Sequence, residues 1–242
     1  DFEGSLEIYD EALISYEDVR SANADNPTAR LSPDRDRTES RRDGQGSATI
    51  PLGAGRSVIL SAAYDGYASS ERPTREEVES GAALQETSEF ENADTSFGVE
   101  YAAPLGGAMD LRAVMTRRDG EQESANSLTE DGSTSRSSSG EETSETATRA
   151  TVRWRMNQRW TVEAGGAWAL NTLDGDSTAT IDGVLQDIDG STASVEETRA
   201  AAPAVVTWIP RSDMSVHFGG RIEQFKLNSS NAPGELSLTD VI

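Results

Sequence analysis

Residues 146–170 read TATRATVRWRMNQRWTVEAGGAWAL and decide the fold of this chain. Before the short polar connection at 157–159, apolar side chains occupy every second position, as Val152 and Trp154 show. After that connection the alternation resumes at Trp160. A period of two is typical of a β-strand with one apolar face, whereas a helix would distribute these residues around its axis. The stretch therefore predicts a β-hairpin.

The register of this hairpin can be checked, because directly opposed residues must point to the same face of a sheet. Placing Trp154 opposite Val162 also places Arg153 opposite Glu163, so that the apolar faces and the charged faces both align. The agreement supports two strands that present one apolar and one polar face.

Three further segments show the same pattern of two alternating runs joined by a short turn. The predicted hairpins span residues 48–64, 97–115 and 202–222, with turns at 53–55, 106–108 and 210–213. In the last hairpin the prediction places Trp208 opposite Met214 and Val206 opposite Val216. A bulge is expected near Pro203, since proline cannot donate to a paired ladder.

The connections between the hairpins are long, polar and acidic. They run over about residues 21–46, 69–93, 119–145 and 173–197. Structureless loops of this length are rare in soluble domains, whereas outer-membrane barrels have short turns on one rim and long loops on the other. The sequence therefore predicts an all-β, antiparallel meander of about eight or nine long strands, part of a transmembrane β-barrel, in a single unit over residues 1–242.

The start of the chain predicts one more strand. Residues 2–16 alternate between apolar and acidic positions, and the expected partner of this strand precedes residue 1. On this interpretation the chain is a segment of a larger barrel.

Composition restricts the possible functions. Hydrophobic residues make up 35% of the 242 residues, and no run approaches the roughly 18 apolar residues of a transmembrane helix. The net charge of −22 excludes nucleic acid as a partner, because both molecules would be polyanions. The absence of cysteine removes disulfides and thiolate chemistry, and it is compatible with export.

The sequence contains no pattern of a catalytic or metal centre. The one histidine, His217, is interpreted as an ordinary residue of the barrel wall, and no HExxH, GxSxG or glycine-rich phosphate loop occurs. Segments 174–176 and 187–190 carry the oxygen ligands that Ca²⁺ prefers, without a complete EF-hand loop. We therefore expect no enzyme activity and no cofactor, and we assign no catalytic or metal-binding residues.

The alternation assigns side chains to the two faces of the predicted wall. The four tryptophans face outward, and those near short turns are expected to form an aromatic girdle at the periplasmic interface. The outward tryptophans are Trp154, Trp160, Trp168 and Trp208. The residues expected to line a water-filled interior are Arg153, Arg155, Glu163, Arg221 and Glu223.

Segments 153–165 and 202–223 resemble barrel strands of the TonB-dependent outer-membrane receptors of proteobacteria. The resemblance implies a barrel of about 22 strands around an N-terminal plug in the bacterial outer membrane, importing a nutrient or metal-chelate ligand. It also implies contact with lipid and lipopolysaccharide, and with the TonB energy-transducing complex through the plug. The chain contains no plug, no TonB box and no terminal aromatic strand, so no ligand-binding residue can be carried over.

Two alternatives remain open. One is a small, complete outer-membrane barrel with an adhesive or structural role. The other is a secreted, Ca²⁺-stabilised β-sandwich adhesin, in which the tryptophans would lie in the core.

Overall fold

A computed structural model of the chain describes residues 2–5, 29–77, 83–188, 190–230 and 236–241. The regular elements in these ranges are all β-strands, and no described helix is long and apolar enough to cross a bilayer. The strands are β1 Phe2–Ser5, β2 Ala29–Gly53, β3 Arg56–Glu77, β4 Ala83–Gly106, β5 Met109–Glu130, β6 Ser133–Arg155, β7 Trp160–Ile181, β8 Val184–Leu185, β9 Thr192–Arg211, β10 Met214–Ser229 and β11 Leu236–Val241.

The strands form one antiparallel sheet in chain order, which confirms the predicted meander. The path runs β1-β2-β3-β4-β5-β6-β7-β9-β10-β11, and the two-residue β8 pairs with β7. Within the described residues the path does not close on itself. Strands β2 to β7, β9 and β10 each contain at least 16 residues, in agreement with the predicted number of long strands.

The hairpin that decides the fold has the predicted register, with Trp154 opposite Val162 and Arg153 opposite Glu163. Its turn is organised by Asn157, whose side-chain Oδ1 accepts hydrogen bonds from the backbone N–H groups of residues 159 and 160 at 2.8 and 3.1 Å. A short asparagine side chain stabilises a turn by replacing the backbone acceptor in this way.

The β9–β10 hairpin is real, but its predicted register is wrong by two residues. Trp208 lies opposite Val216, and Val206 lies opposite Phe218. The cause is a turn of two residues, 212–213, in place of the predicted 210–213, together with an irregularity between Met214 and Val216 just after it. A shift of two residues keeps every side chain on its face, so the apolar and charged faces still align.

The predicted bulge at Pro203 is also wrong. Pro203 pairs with Arg221 in an unbroken register along β10. On the β7 side, the two pairs between Ala164–Ala204 and Ala167–Ala201 are missing. The register is the same on both sides of this gap. The ladder accommodates the missing proline N–H by omitting pairs, and no extra residue is inserted.

The long acidic connections exist, but they are not structureless. Most of their residues continue the strands of the neighbouring hairpins, and the β5–β6 ladder extends to Glu130 opposite Ser133. Two tight Asp-Gly turns close these extensions, at 131–132 and 182–183. Asp131, Gly132, Asp182 and Gly183 all have positive φ angles, between 51° and 84°. Asp-Gly is a strong hairpin signal because a type I′ turn needs positive φ at both central residues.

Hydrogen bonds made by side chains add to the backbone ladder in these extensions. Asp182 accepts hydrogen bonds from the Thr134 backbone N–H at 2.8 Å and from the Ser133 hydroxyl at 3.1 Å. Hydroxyl pairs across the strands are Ser124–Ser139, Ser138–Thr178 and Ser144–Thr172 at 2.8 Å, and Thr129–Thr134 at 3.0 Å. Such cross-strand pairs stabilise a sheet whose two faces are both polar.

Only residues 2–5 of the predicted first strand, residues 2–16, are described, and they form β1. Residues 2–5 pair with residues 45–48 of β2 along one edge. A partner that precedes residue 1 would use the other edge and stays a prediction. Residues 6–16 of the predicted strand lie outside the described residues.

Within the described residues the sheet has no second layer and almost no buried core. Ala103 is the only buried hydrophobic residue there, with 6% exposure. Large apolar side chains such as Phe97, Phe218 and Leu52 are at least 55% exposed. A β-sandwich would bury such side chains between two sheets, so the described residues do not support the sandwich alternative.

Candidate functional site

The register brings most of the large apolar side chains of the long strands onto one face. Leu60 lies opposite Val99, which lies opposite Met115 on the next strand. Trp154, Val162 and Val206 continue the same face across β6, β7 and β9. We call this surface the apolar belt. Its main members are Ile50, Leu52, Val58, Leu60, Phe97, Val99, Tyr101, Leu105, Met109, Leu111, Met115, Val152, Trp154, Met156, Trp160, Val162, Trp168, Leu170, Val206, Trp208, Val216, Phe218 and Ile222.

The apolar belt has a defined height along the strands. On β7 it begins at Trp160 and ends at Leu170. A separation of ten residues, with a rise of about 3.3 Å per residue and a strand tilt of about 40°, gives a height of about 25 Å. This height matches that of the apolar band, about 25 Å, that surrounds outer-membrane barrels. Since β7 has 22 residues, about half of the strand extends beyond the apolar belt.

Aromatic side chains mark one edge of the apolar belt. Trp160 lies opposite Trp208, and their rings stack with centroids 5.6 Å apart and an interplanar angle of 17°. Trp154 lies one row further in, on the neighbouring strand β6. All three are close to the short turns, as the sequence predicts. Trp168 lies on the same face, further along β7 and 40% exposed.

A charged pair marks the opposite edge. Arg117 follows Met115 on the belt face, and its Nε donates to both carboxylate oxygens of Asp119 at 3.0 Å. Asp119 lies one row outside the apolar belt, and the hydrogen bond from Arg117 lowers the pKa of its carboxyl group. The apolar surface ends here, and acidic side chains dominate the extensions beyond it.

The other face of the sheet carries charges at the height of the apolar belt. The residues predicted to line a wet interior all lie on this face, which we call the charged face. Most form cross-strand ion pairs there. The cross-strand pairs are Arg112–Glu100 through two hydrogen bonds of 2.8 Å, Arg118–Asp94 at 3.0 Å, Arg153–Glu163 at 3.9 Å and Arg155–Asp110. Arg221 and Glu223 form a pair along β10 at 3.0 Å. Exposed pairs of this kind contribute little stability, but they identify a solvated surface.

His217 lies on the charged face as a hydrogen-bonded wall residue. Its Nδ1 is 3.0 Å from the Thr207 hydroxyl, and its Nε2 is 3.0 Å from the Ser215 hydroxyl. The side chain is exposed and faces no carboxylate among these contacts. The geometry therefore supplies no catalytic triad around His217.

The calcium-like segments form no cluster of three or more metal ligands in the described part of the chain. Residues 174–176 belong to β7 and run along the strand. Asp187 follows β8, while Asp189 lies outside the described residues. In the described ranges, no three or more His, Cys, Asp or Glu side chains are placed to hold a metal ion.

One concavity on the charged face was not identified from the sequence. It has a volume of about 540 Å³, and its floor consists of small residues such as Ala167 and Ala201. Four arginines contribute to its lining, from β5, β6, β9 and β10. They are Arg112, Arg149, Arg199 and Arg221. We call this site the arginine basin. The alternation places these residues on one face, but only the register across five strands brings them together.

Two solved structures align with this chain at low similarity. The ferric preacinetobactin receptor BauA from Acinetobacter baumannii is 9% identical, with a TM-score of 0.49, over 88% of this chain and 43% of that receptor. The ferric yersiniabactin uptake receptor FyuA from Yersinia pestis is 8% identical, with a TM-score of 0.38, over 86% of this chain and 35% of that receptor. The chain thus spans less than half the length of either. No family model and no curated protein matches the chain.

Proposed function

We propose that this chain is a wall segment of a bacterial outer-membrane transport barrel of the TonB-dependent receptor class. The observation that carries the proposal is the apolar belt, a one-sided apolar surface about 25 Å tall with no covering layer among the described residues. Lipid is the environment in which such a surface is stable, since contact with water would cost about 25 cal/mol for each Å² of apolar area.

The charged face supports a water-filled bore on the other side of the same wall. Arg112 and Glu100 lie at the height of the apolar belt, and the Arg112 side chain is 66% exposed. An arginine on the lipid side at the bilayer midplane costs about 2–4 kcal/mol, whereas a charge in the lumen costs little. The two faces of one strand therefore require two different environments, lipid and water.

Import of a nutrient or a metal chelate is the function that we propose for this bore. A large barrel is favoured because the described sheet, with its eight long strands, does not close on itself. A plug and the TonB complex would supply gating and energy from other segments of the same receptor. The ligand contacts would lie partly outside this chain.

A second candidate is a small barrel with an adhesive role, and the ribbon-like extensions favour it. Beyond the apolar belt, β5, β6 and β7 continue as paired strands with hydroxyl and carboxylate side chains on both faces. A rigid polar ribbon that projects from the membrane is suited to contact with another surface. The two candidates differ in whether solute crosses the membrane.

Uptake in living cells tests the proposal. In the native host, deletion of the gene should abolish accumulation of one nutrient or iron chelate from a panel of radiolabelled compounds. Collapse of the inner-membrane proton gradient should abolish the same uptake in the wild type, because the outer membrane has no energy source of its own. Unchanged uptake together with lost attachment to surfaces would favour the adhesive barrel.

Complementation supplies a matched control for this experiment. The gene with Thr49→Arg, on the charged face, should restore uptake. The gene with Ile50→Arg, at the adjacent residue in the apolar belt, should not restore it, because the barrel would fail to assemble. Equal rescue by both variants would contradict a lipid-facing belt.

A further inference from the structure

We propose that the arginine basin binds a small multivalent oxyanion, carrying carboxylate or phosphate groups, at mid-height of the bore. The site deepens the proposed transport function by assigning a chemical class to a solute that contacts this wall.

The floor of the basin leaves room for a ligand. Arg149 lies between Val114 on β5 and Ala167 on β7, each directly opposite it in the register. Arg199 lies opposite Ala169. The short side chains leave the 540 Å³ concavity open, and the long arginine side chains rise around it.

The rim of the basin is positive in a chain that is otherwise strongly negative. Four arginines and one carboxylate, that of Glu223, are the charged residues of the lining. The Glu100 and Glu197 carboxylates that pair with Arg112 and Arg199 lie just outside the lining, so the local formal charge is +1. The whole chain carries −22. A concentration of positive charge against this background attracts an anion to one place on the wall.

Arg149 differs from the other three arginines of the basin because it has no carboxylate partner in the described part of the chain. Arg112 is held by Glu100, Arg221 by Glu223, and Arg199 by Glu197. The Arg149 side chain is exposed and makes no ion pair or hydrogen bond within the described residues. Its planar guanidinium group therefore keeps all five of its N–H donors available for carboxylate or phosphate oxygens.

The neighbouring arginines add to the field around Arg149. Arg112, on the adjacent strand β5, lies one row below it. Arg199, two strands away on β9, lies one row above it, and Arg221, three strands away on β10, lies one row below it. A row is about 6.6 Å along a strand, and adjacent strands are about 4.8 Å apart. A ligand with two or three anionic groups can therefore approach Arg149 and a second arginine at once. A monovalent anion would gain much less from this spacing.

Calorimetric titration of the full protein in detergent with citrate, and separately with inorganic phosphate, tests the proposal. We expect saturable binding in the wild type, and a loss of about tenfold in affinity with Arg149→Gln, since one charge-assisted contact is removed. The matched control is Arg136→Gln, an exposed arginine on the other face of the same strand, which should leave the affinity unchanged. Tighter binding of citrate would assign the site to carboxylates, and tighter binding of phosphate would assign it to phosphates.

Two results would overturn the proposal. Absence of saturable binding of both anions would mean that solvent or another segment of the protein fills the basin. Equal losses with Arg149→Gln and Arg136→Gln would mean that binding follows net charge only. The uptake experiment separates this proposal from transport, because anion binding that persists without uptake rejects the transport function alone. Uptake without anion binding rejects the basin alone.

Discussion

Ile50→Arg is expected to lower the free energy of unfolding in lipid vesicles by about 2–4 kcal/mol. Ile50 lies near mid-height of the apolar belt, opposite Val58 on β3, and its side chain is 43% exposed. The substitution has room for a long side chain, so steric strain is not the cause of the loss. The cause is the transfer of a guanidinium group into the hydrocarbon region. Urea titration of the refolded protein, followed by tryptophan fluorescence, measures the change.

Thr49→Arg is the control for that substitution. Thr49 is the preceding residue of β2, and its exposed side chain lies on the charged face. We expect a change of no more than about 0.5 kcal/mol, the usual range for an exposed surface substitution. A similar loss for both variants would show that the two faces do not differ in environment.

Gly165→Ala is expected to lower the free energy of unfolding by about 1–3 kcal/mol, the usual cost of overpacking. A Cβ atom at Gly165 would lie 2.4 Å from the backbone carbonyl oxygen of Ala150 and 3.2 Å from the Thr151 hydroxyl. The first atom belongs to a neighbouring strand, so the backbone must move to relieve the clash. This close approach lies beside Pro203, where the β7–β9 ladder omits pairs.

Gly166→Ala provides the comparison, since it makes the same chemical change one residue away. The nearest atom to a Cβ at Gly166 is the Ala201 carbonyl oxygen, at 3.9 Å. This is an ordinary contact. Alanine also lowers the conformational entropy of the unfolded chain, which favours the folded state. We expect an unchanged or slightly higher stability in the same urea titration. An equal loss at both positions would contradict the described packing of β6 against β7.

The alternation of apolar residues was sufficient to predict the strands inside the apolar belt. Between Val152 and Val162, for example, it gave the faces, the turn and the register. The physical reason is that one environment selects apolar side chains on each strand, so a single period of two persists in the sequence. Where the turn contains an irregularity, as between Met214 and Val216, the faces remain predictable but the register does not.

The extensions beyond the apolar belt were predicted as loops because both of their faces are polar. Ser138 and Thr178 illustrate the difficulty, since their hydroxyl pair gives no periodic hydrophobic signal. The Asp-Gly turns at 131–132 and 182–183 were the available signal for these hairpins. The arginine basin could not be predicted either, because its residues come from strands that only the complete register aligns.

Depth-dependent quenching of tryptophan fluorescence by brominated lipids tests the central claim most directly. Four variants, each retaining one of the natural tryptophans, would be refolded into vesicles with bromine at different depths of the acyl chain. If the apolar belt faces lipid, bromine deeper in the acyl chain should quench Trp154 and Trp168 more strongly than Trp160 and Trp208, and bromine near the headgroups should quench Trp160 and Trp208 most strongly. If no tryptophan is quenched at any depth, the apolar belt does not contact lipid, and the proposed membrane barrel is wrong.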